Sequence, residues 1–343
     1  LLEWEHSWKR RQQAGEETIK KTFFSRQKEG ILVSFAIQLF TIPLVAYSYY
    51  EIPVYAMLIN LFVLAVVNGL LGLTVLGVIV GMAFLPAGRV LFAPCGWMLD
   101  SYRFLCEVSL KIPGAQRITG KPAHMRIFWY YLGLGVFLLA IYACARRNEK
   151  HKDCRETADL CVSRRKKRLQ GIVFSCFIAF LLLFLLFPQK KSFEIDFLDV
   201  GQGDGIYLCT GGGTSMFIDG GSTDVKQVGK YRILPFLKAK GVSEISYWFV
   251  SHTDTDHVSG LKEVLVSGYR VEYLVFAKAV EKEAKTKELA ELARSHGTKV
   301  FYMQAGDTVR SKRAAMRCLY PKAADKAEDV NDLCLVLQFE EGD

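Results

Sequence analysis

Four long stretches of this 343-residue sequence carry no charged side chain: residues 31–50, 52–88, 127–145 and 171–187. About 20 helical residues cross the roughly 30 Å hydrocarbon core of a bilayer, so each stretch is long enough, or nearly so, to span one. In hydrocarbon every backbone N–H and C=O must be satisfied inside the segment, which makes these stretches helices. A single soluble globule is excluded.

Charge is divided in the same way. Residues 1–188 hold 23 Lys and Arg against 12 Asp and Glu, net +11, while 189–343 hold 21 against 23, net −2, which together make the formal +9. The basic excess sits in 1–30 (Lys9, Arg10, Arg11, Lys20, Lys21, Arg26, Lys28) and in the loop 146–170, which carries ten basic and four acidic residues, Arg164-Arg165-Lys166-Lys167-Arg168 among them. Short basic segments beside spans stay in the cytoplasm. Both are read as cytoplasmic, so everything after Pro188 lies outside and the number of crossings is odd, about five. The loop lies beside lipid and lacks interleaved aromatics, which makes anionic head groups its partner rather than nucleic acid. Residues 1–30 also lack the apolar stretch of a secretory signal. The sequence starts at Leu1 without an initiator Met, and its last strand-like run stops at Phe339–Asp343. It is read as a piece of a longer protein. Nine scattered cysteines without a Cys-x-x-Cys pair support neither a disulfide framework nor a zinc ribbon.

The spans carry their own signals. Residues 31–50 end in Tyr47, Tyr49 and Tyr50, an interfacial aromatic set. The uncharged run from Val54 to Leu85 would be about 48 Å long as one helix, which calls for tilt, a break or two short crossings. Inside it Gly77-x-x-x-Gly81 offers a close helix–helix approach, and Asn60 and Asn68 are expected to face a neighbouring helix or a wet cavity. Between Trp97 and Ile112, Asp100, Arg103, Glu107 and Lys111 fall on one helical stripe. Such a stripe suits either a conduit wall or a helix lying in the interface plane.

After Lys191 the pattern shortens. Residues 193–200, 206–210 and 215–219 read as strands separated by glycine turns. Helix then alternates with strand: 231–240 helix, 245–251 strand, 260–266 helix, 271–276 strand, 280–296 helix and 299–303 strand. This is a mixed α/β domain. Its chemistry follows the most hydrophobic strand. His252, Asp254, Asp256 and His257 place four imidazole and carboxylate donors within six residues, a set that suits zinc or manganese. In a tight loop after a strand, alternate residues point to opposite sides and serve two adjacent ions, an arrangement that clamps attacking and leaving oxygens. Asp199 and Asp204, in Asp199-Val200-Gly201-Gln202-Gly203-Asp204, and Asp219, in Phe217-Ile218-Asp219-Gly220-Gly221, stand at glycine corners where a chain approaches its neighbours closely. They are candidates for orienting ligands or holding the metal loop.

Together, Phe197-Leu198-Asp199-Val200-Gly201-Gln202-Gly203-Asp204, the corner at Asp219-Gly220-Gly221 and His252-x-Asp254-x-Asp256-His257-x-x-Gly260 resemble the external metallo-β-lactamase-fold domain of the ComEC family of DNA-internalisation competence proteins. The multi-span half with its amphipathic segment is similar to that family's membrane competence domain. The resemblance implies the architecture: a multi-span α-helical competence domain over 31–188, then the N-terminal part of an αββα metallo-β-lactamase-like domain over 189–343. It implies DNA internalisation across the cytoplasmic membrane in natural transformation, double-stranded DNA arriving and one strand entering, with a metal-dependent nuclease degrading the other. Membrane lipids and other competence-machinery proteins are the further partners. By the same resemblance His252 and Asp254 match one metal site and Asp256 and His257 the other, with Asp256 catalytic. Asp199, Gln202, Asp204 and Asp219 are supporting, and the ions are Mn or Zn. Cys334 stands in Asn331-Asp332-Leu333-Cys334-Leu335-Val336-Leu337 where the family usually has serine. A complete domain of this kind is expected to continue beyond Asp343 with further ligands, so the fragment alone is expected to bind metal weakly.

Overall fold

The computed structural model describes residues 30–150, 160–187, 191–311, 314–327 and 329–342. The basic segment 1–30, save Gly30, and the middle of the basic loop, 151–159, lie outside the described residues. The chain forms two compact units, one made of the chain up to Val45 and Glu51–Arg117, the other of Ala46–Tyr50 and Ile118–Asp343.

In the first unit α1 (Gly30–Tyr49) leads to a short strand β1 (Glu51–Pro53) and then α2 (Ala56–Ala83) and α3 (Leu85–Leu110). The long uncharged run is thus one unbroken helix of 28 residues, about 42 Å. It stops at Phe84, whose backbone is extended (φ −148°, ψ 97°), and Pro86 then opens α3. A proline's fixed φ and missing N–H suit a helix start. The two helices pair as a hairpin, and its open end is closed by Val54 N–H donating to Ala115 O at 2.8 Å. The small residues make the contact: a Cβ on Gly88 would lie 2.6 Å from Gly81 Cα and 2.9 Å from Gly77 O. Gly88→Val is therefore expected to push the helices apart and cost about 1–3 kcal/mol, an overpacking penalty. The thermal midpoint of the detergent-solubilised protein measures it; Gly96→Val, where nothing lies within 4 Å, is the control. On α3 the charged stripe is exposed, Arg103 lying 3.6 Å from Asp100 and 3.7 Å from Glu107. Asn68 is also exposed.

The second unit holds strand end Ile118 of β2 (Gln116–Ile118), then α4 (His124–Lys150) and α5 (Leu160–Leu186). These helices extend into the 146–170 segment from both sides, so less of it is loop than the charge pattern suggests. Among the described residues three helical segments are long and apolar enough to cross a membrane, Gly30–Tyr49, Val66–Ala83 and His124–Cys144, with a shorter apolar helix at Gly171–Leu186.

The α/β domain begins with a meander, β3 (Glu194–Phe197), β4 (Gly205–Cys209) and β5 (Ser215–Asp219), paired antiparallel. From there crossovers add parallel strands β6 (Glu244–Phe249), β7 (Arg270–Ala277) and β8 (Lys299–Met303) in simple order. A π turn at Gly229–Ile233 runs into α6 (Leu234–Ala239); α7 spans Thr255–Val266 and α8 Ala284–Ser295. One core joins these helices to the sheet through Leu237, Leu261, Leu265 and Leu289 against Phe217, Trp248 and Leu274. On the other face a second core, with Met216, Phe249 and Val275, receives Met316 and Cys318 from the three-stranded sheet β9 (Thr308–Ser311), β10 (Ala314–Tyr320) and β11 (Val336–Glu341), and Leu333 and Leu335 from the segment that leads into β11. Helices, sheet and sheet thus form three layers among the described residues. At the sheet edge Lys240 bridges Glu194 and Asp196, each at 2.8 Å, tying α6 to β3.

Candidate metal centre

The candidate residues gather where β5 and β6 end side by side. Asp219 closes β5 in a left-handed conformation (φ 59°), and its carboxylate turns inward, 4 % exposed. Ser251 N–H donates to its Oδ1 at 2.8 Å, while Ser251 O–H (2.8 Å) and His257 Nδ1–H (3.0 Å) donate to its Oδ2. The backbone oxygen of the same residue accepts from Trp248 Nε1 at 2.6 Å. One buried carboxylate therefore fixes the start of the metal loop and one of its histidines.

α7 begins five residues earlier than the apolar pattern indicates, because Asp254 is already extended (φ −73°, ψ 156°) and the chain turns helical at Thr255. Asp256 and His257 lie in the first turn of a helix. The strand-like alternation expected of them is replaced by helical spacing, which carries both toward His252. The two imidazole rings lie 3.8 Å apart, and His257 Nε2 is 3.6 Å from Asp256 Oδ2. His252, Asp256 and His257 offer ligand atoms all within 4.8 Å of one another.

Proton bookkeeping gives these atoms their roles. Ser251 commits its proton to Asp219, so its oxygen accepts from His252 Nδ1 at 3.1 Å. With both Nδ1 atoms donating, both Nε2 lone pairs are available to a cation, the carboxylate–histidine arrangement that orients metal ligands. The grouping of Asp204, Asp219 and His257 shares the His257 ring but uses the nitrogen already bound to Asp219. It is a supporting arrangement. Ligand atoms on a cation with bonds of about 2.1 Å sit roughly 3.4 Å apart, so the His252, Asp256 and His257 set fits a divalent ion with small side-chain movements.

Asp254 is placed differently. Its Oδ1 pairs with Lys285 at 2.9 Å, from the first turn of α8, and its Oδ2 is 4.0 Å from His252 Nε2. The hydrogen bond from Lys285 holds the Asp254 carboxyl below its ordinary range. Asp204 Oδ2 stands 3.8 Å from His257 Nδ1. Asp199 binds Arg232 at 2.9 Å, and Gln202 contributes its backbone N–H to Asp224 Oδ1 at 2.7 Å. Burial lowers the His252 pKa, helped by the neighbouring His257. For His257 burial acts in the same direction, but the Asp219 hydrogen bond and the charges of Asp219, Asp256 and Asp204 outweigh it and raise the pKa.

The glycine corners allow three loops to meet here. A Cβ on Gly203 would lie 2.4 Å from Gly221 O and 2.5 Å from Asp256 O; one on Gly221 would lie 2.4 Å from Asp256 C. Ser251, Lys285 and Cys334 belong to the arrangement although the sequence reading gave them no role in it. Ser251 had one visible signal, its place immediately before the donor cluster.

Residues 1–143 match the family model described as Competence protein. The likeness continues beyond them: the chain is 24% identical over 329 residues to ComE operon protein 3 of Bacillus subtilis (strain 168), covering 91% of this chain and 39% of that protein. It is 31% identical over 106 residues to Recombination protein 2 of Haemophilus influenzae, covering 30% of this chain and 13% of that one. The resemblance to the ComEC competence family thus holds over both parts of the chain, which spans about two-fifths of the length of the Bacillus relative. Among solved structures, the metallo-β-lactamase fold protein YhfI of Bacillus subtilis superposes with a TM-score of 0.29 at 12% identity, over 40% of this chain and 51% of that one. An archaeal metallo-β-lactamase superfamily protein from Sulfolobus tokodaii gives 0.28 at 17% identity, over 38% and 56%.

Proposed function

We propose that this chain is part of a protein that passes DNA across the cytoplasmic membrane, its α/β domain lying outside and hydrolysing phosphodiester bonds of the incoming DNA. The observation that carries the hydrolase reading is the convergence of His252, Asp256 and His257 around two free Nε2 atoms, with Asp219 fixing the loop. When bound, one or two ions of manganese or zinc would supply Lewis-acid stabilisation of phosphate charge and a nucleophile near neutral pH. His252 and His257 would hold the ion, and Asp256 would complete the set and act as a base toward the attacking water. Asp219 and Ser251 keep the imidazoles in the binding tautomer. Net −2 on this domain leaves DNA attraction to local basic side chains such as Lys285 and to the ion itself.

Five crossings are consistent with the connections. Tyr50 O accepts from Thr119 N at 2.9 Å, Arg126 reaches Phe187 O at 2.6 Å, and Lys121 N donates to Ala239 O at 2.8 Å. The end of α1, the start of α4 and the end of α5 therefore share the side of the α/β domain. The proposal counts one pass for α1, two for the α2–α3 hairpin and two for α4 and α5.

The test is incubation of the purified protein, extended past Asp343, with linear DNA and Mn²⁺, Mg²⁺ or Zn²⁺. Metal-dependent cleavage is expected, and Asp256→Ala is expected to lower it by about 10³-fold or more, the scale on which removal of one catalytic group acts. Metal binding without cleavage under any ion would overturn the nuclease reading in favour of a hydrolase for another substrate or a non-catalytic conduit.

A further inference from the structure

Beside the metal centre a short strap crosses from the second sheet. Val330–Leu333 forms a single 3-10 turn, Asp329 caps it by accepting from Asn331 N at 2.9 Å, and the chain then joins β11. Leu333 and Leu335 are buried in the core under β10, and Leu335 N donates to Ser251 O at 3.1 Å. The residue between the two leucines is thereby fixed against the metal loop. It is Cys334, half-buried, with Sγ 3.4 Å from His252 Nδ1 and 2.7 Å from Asn331 O.

The hydrogens can be assigned without conflict. A carbonyl oxygen only accepts, so the contact with Asn331 O takes the thiol proton. The sulfur is left to accept, and His252 Nδ1–H is the donor that faces it. Ser251 Oγ is the second acceptor, 3.1 Å from the same His252 Nδ1, so the ring proton is shared between the hydroxyl oxygen and the sulfur.

We propose that Cys334 is a positioning residue for the metal centre: its sulfur accepts the Nδ1–H of His252 while its own proton goes to Asn331 O, which keeps His252 Nε2 unprotonated and aimed at the cation. The inference rests on reading His252, Asp256 and His257 as that centre. It assigns no bond between sulfur and metal, because Cys334 Sγ is not among the clustered ligand atoms.

The experiment uses the full chain in detergent, comparing wild type with Cys334→Val, Cys334→Ala and Cys334→Ser. Two quantities are read: the tautomer of His252 from imidazole ¹⁵N shifts without metal, and the affinity for Mn²⁺ and for Zn²⁺ by calorimetry. Valine and alanine remove one of the two acceptors that hold the Nδ1 proton, and each is expected to shift His252 toward the Nε2–H tautomer and weaken binding about tenfold, the lower end for an outer partner of a metal ligand. Serine retains an acceptor and is expected to restore both. Unchanged tautomer and affinity in Cys334→Val and Cys334→Ala would overturn the proposal, as would a serine variant no better than alanine. Wild-type protein that binds neither ion while the valine variant still changes the His252 tautomer would overturn the metal reading and leave the role of Cys334 toward His252 standing.

Discussion

Asp219→Asn is expected to yield a folded protein that has lost most of its metal affinity, whereas Asp219→Ala loses stability as well. The difference follows from what the carboxylate receives. Three donors converge on it: Ser251 N–H, Ser251 O–H and His257 Nδ1–H, at 2.8, 2.8 and 3.0 Å. Alanine leaves all three without an acceptor in a buried place, at about 1–3 kcal/mol for each group left unsatisfied. It also puts a Cβ-only side chain at φ 59°, a conformation that costs most residues roughly 1–2 kcal/mol and that Asp and Asn tolerate better. Asparagine keeps the shape, the backbone conformation and one acceptor for Ser251 N–H. Its amide nitrogen, however, then faces His257 Nδ1 and donates to it. The imidazole must move its proton to Nε2, which removes the lone pair a cation needs. A loss of 10- to 100-fold in affinity is the scale for disturbing such an outer partner. Denaturant midpoints and Mn²⁺ titration of the same preparations separate the two effects. Wild-type affinity in the asparagine variant would show that Asp219 does not set the His257 tautomer.

How far the sequence announced this site depends on the range of each interaction. The apolar runs appear as helices because exclusion of charge over a bilayer length is a property of composition, independent of packing. The break at Phe84 and Pro86 was also local, yet the uncharged run continued through it, so hydrophobicity alone could not divide α2 from α3. The meander β3–β5 was legible from period-2 patterning and glycine turns, both nearest-neighbour signals. The start of α7 was not. Thr255, Asp256 and His257 are no strong helix formers, and the apolar pattern of the helix begins only behind them. Within the site, His252, Asp256 and His257 come together through the first turn of α7, not through the alternation expected of a loop after a strand. Asp254 turns to Lys285, 31 residues away on another helix, a pairing that no local spacing contains. Gln202, expected to be a supporting residue, makes its contact through its backbone N–H. Cys334 stood out only as an odd residue in a strand motif, since its meaning depends on a strap 82 residues from His252 in sequence.

Gly260→Ala is expected to damage both stability and the metal centre, although it adds a single methyl group. An ideal Cβ there would lie 2.2 Å from Gly220 O and 2.7 Å from Ile233 Cδ1. The isoleucine tip can swing away. The carbonyl cannot, because Gly220 follows Asp219 directly and its own N–H is tied to Asp204 O at 2.7 Å. The strain must therefore be relieved by lifting α7 off the β5 corner. Overpacking of this kind costs about 1–3 kcal/mol and more where backbone is the obstacle. Lifting the helix also draws its first turn, with Asp256 and His257, away from Asp219 and His252, so metal affinity falls with stability. Gly268→Ala provides the contrast: its φ is +78°, but nothing lies within 4 Å, so only the backbone penalty of roughly 1–2 kcal/mol applies and the metal centre is untouched. Measured side by side, the first variant should lose denaturant resistance and Mn²⁺ binding together, the second only part of its denaturant resistance. If Gly260→Ala kept full metal affinity despite lower stability, the position of α7 would not be what brings the ligands together, and the three-loop contact at Gly203, Gly221 and Gly260 would serve packing alone.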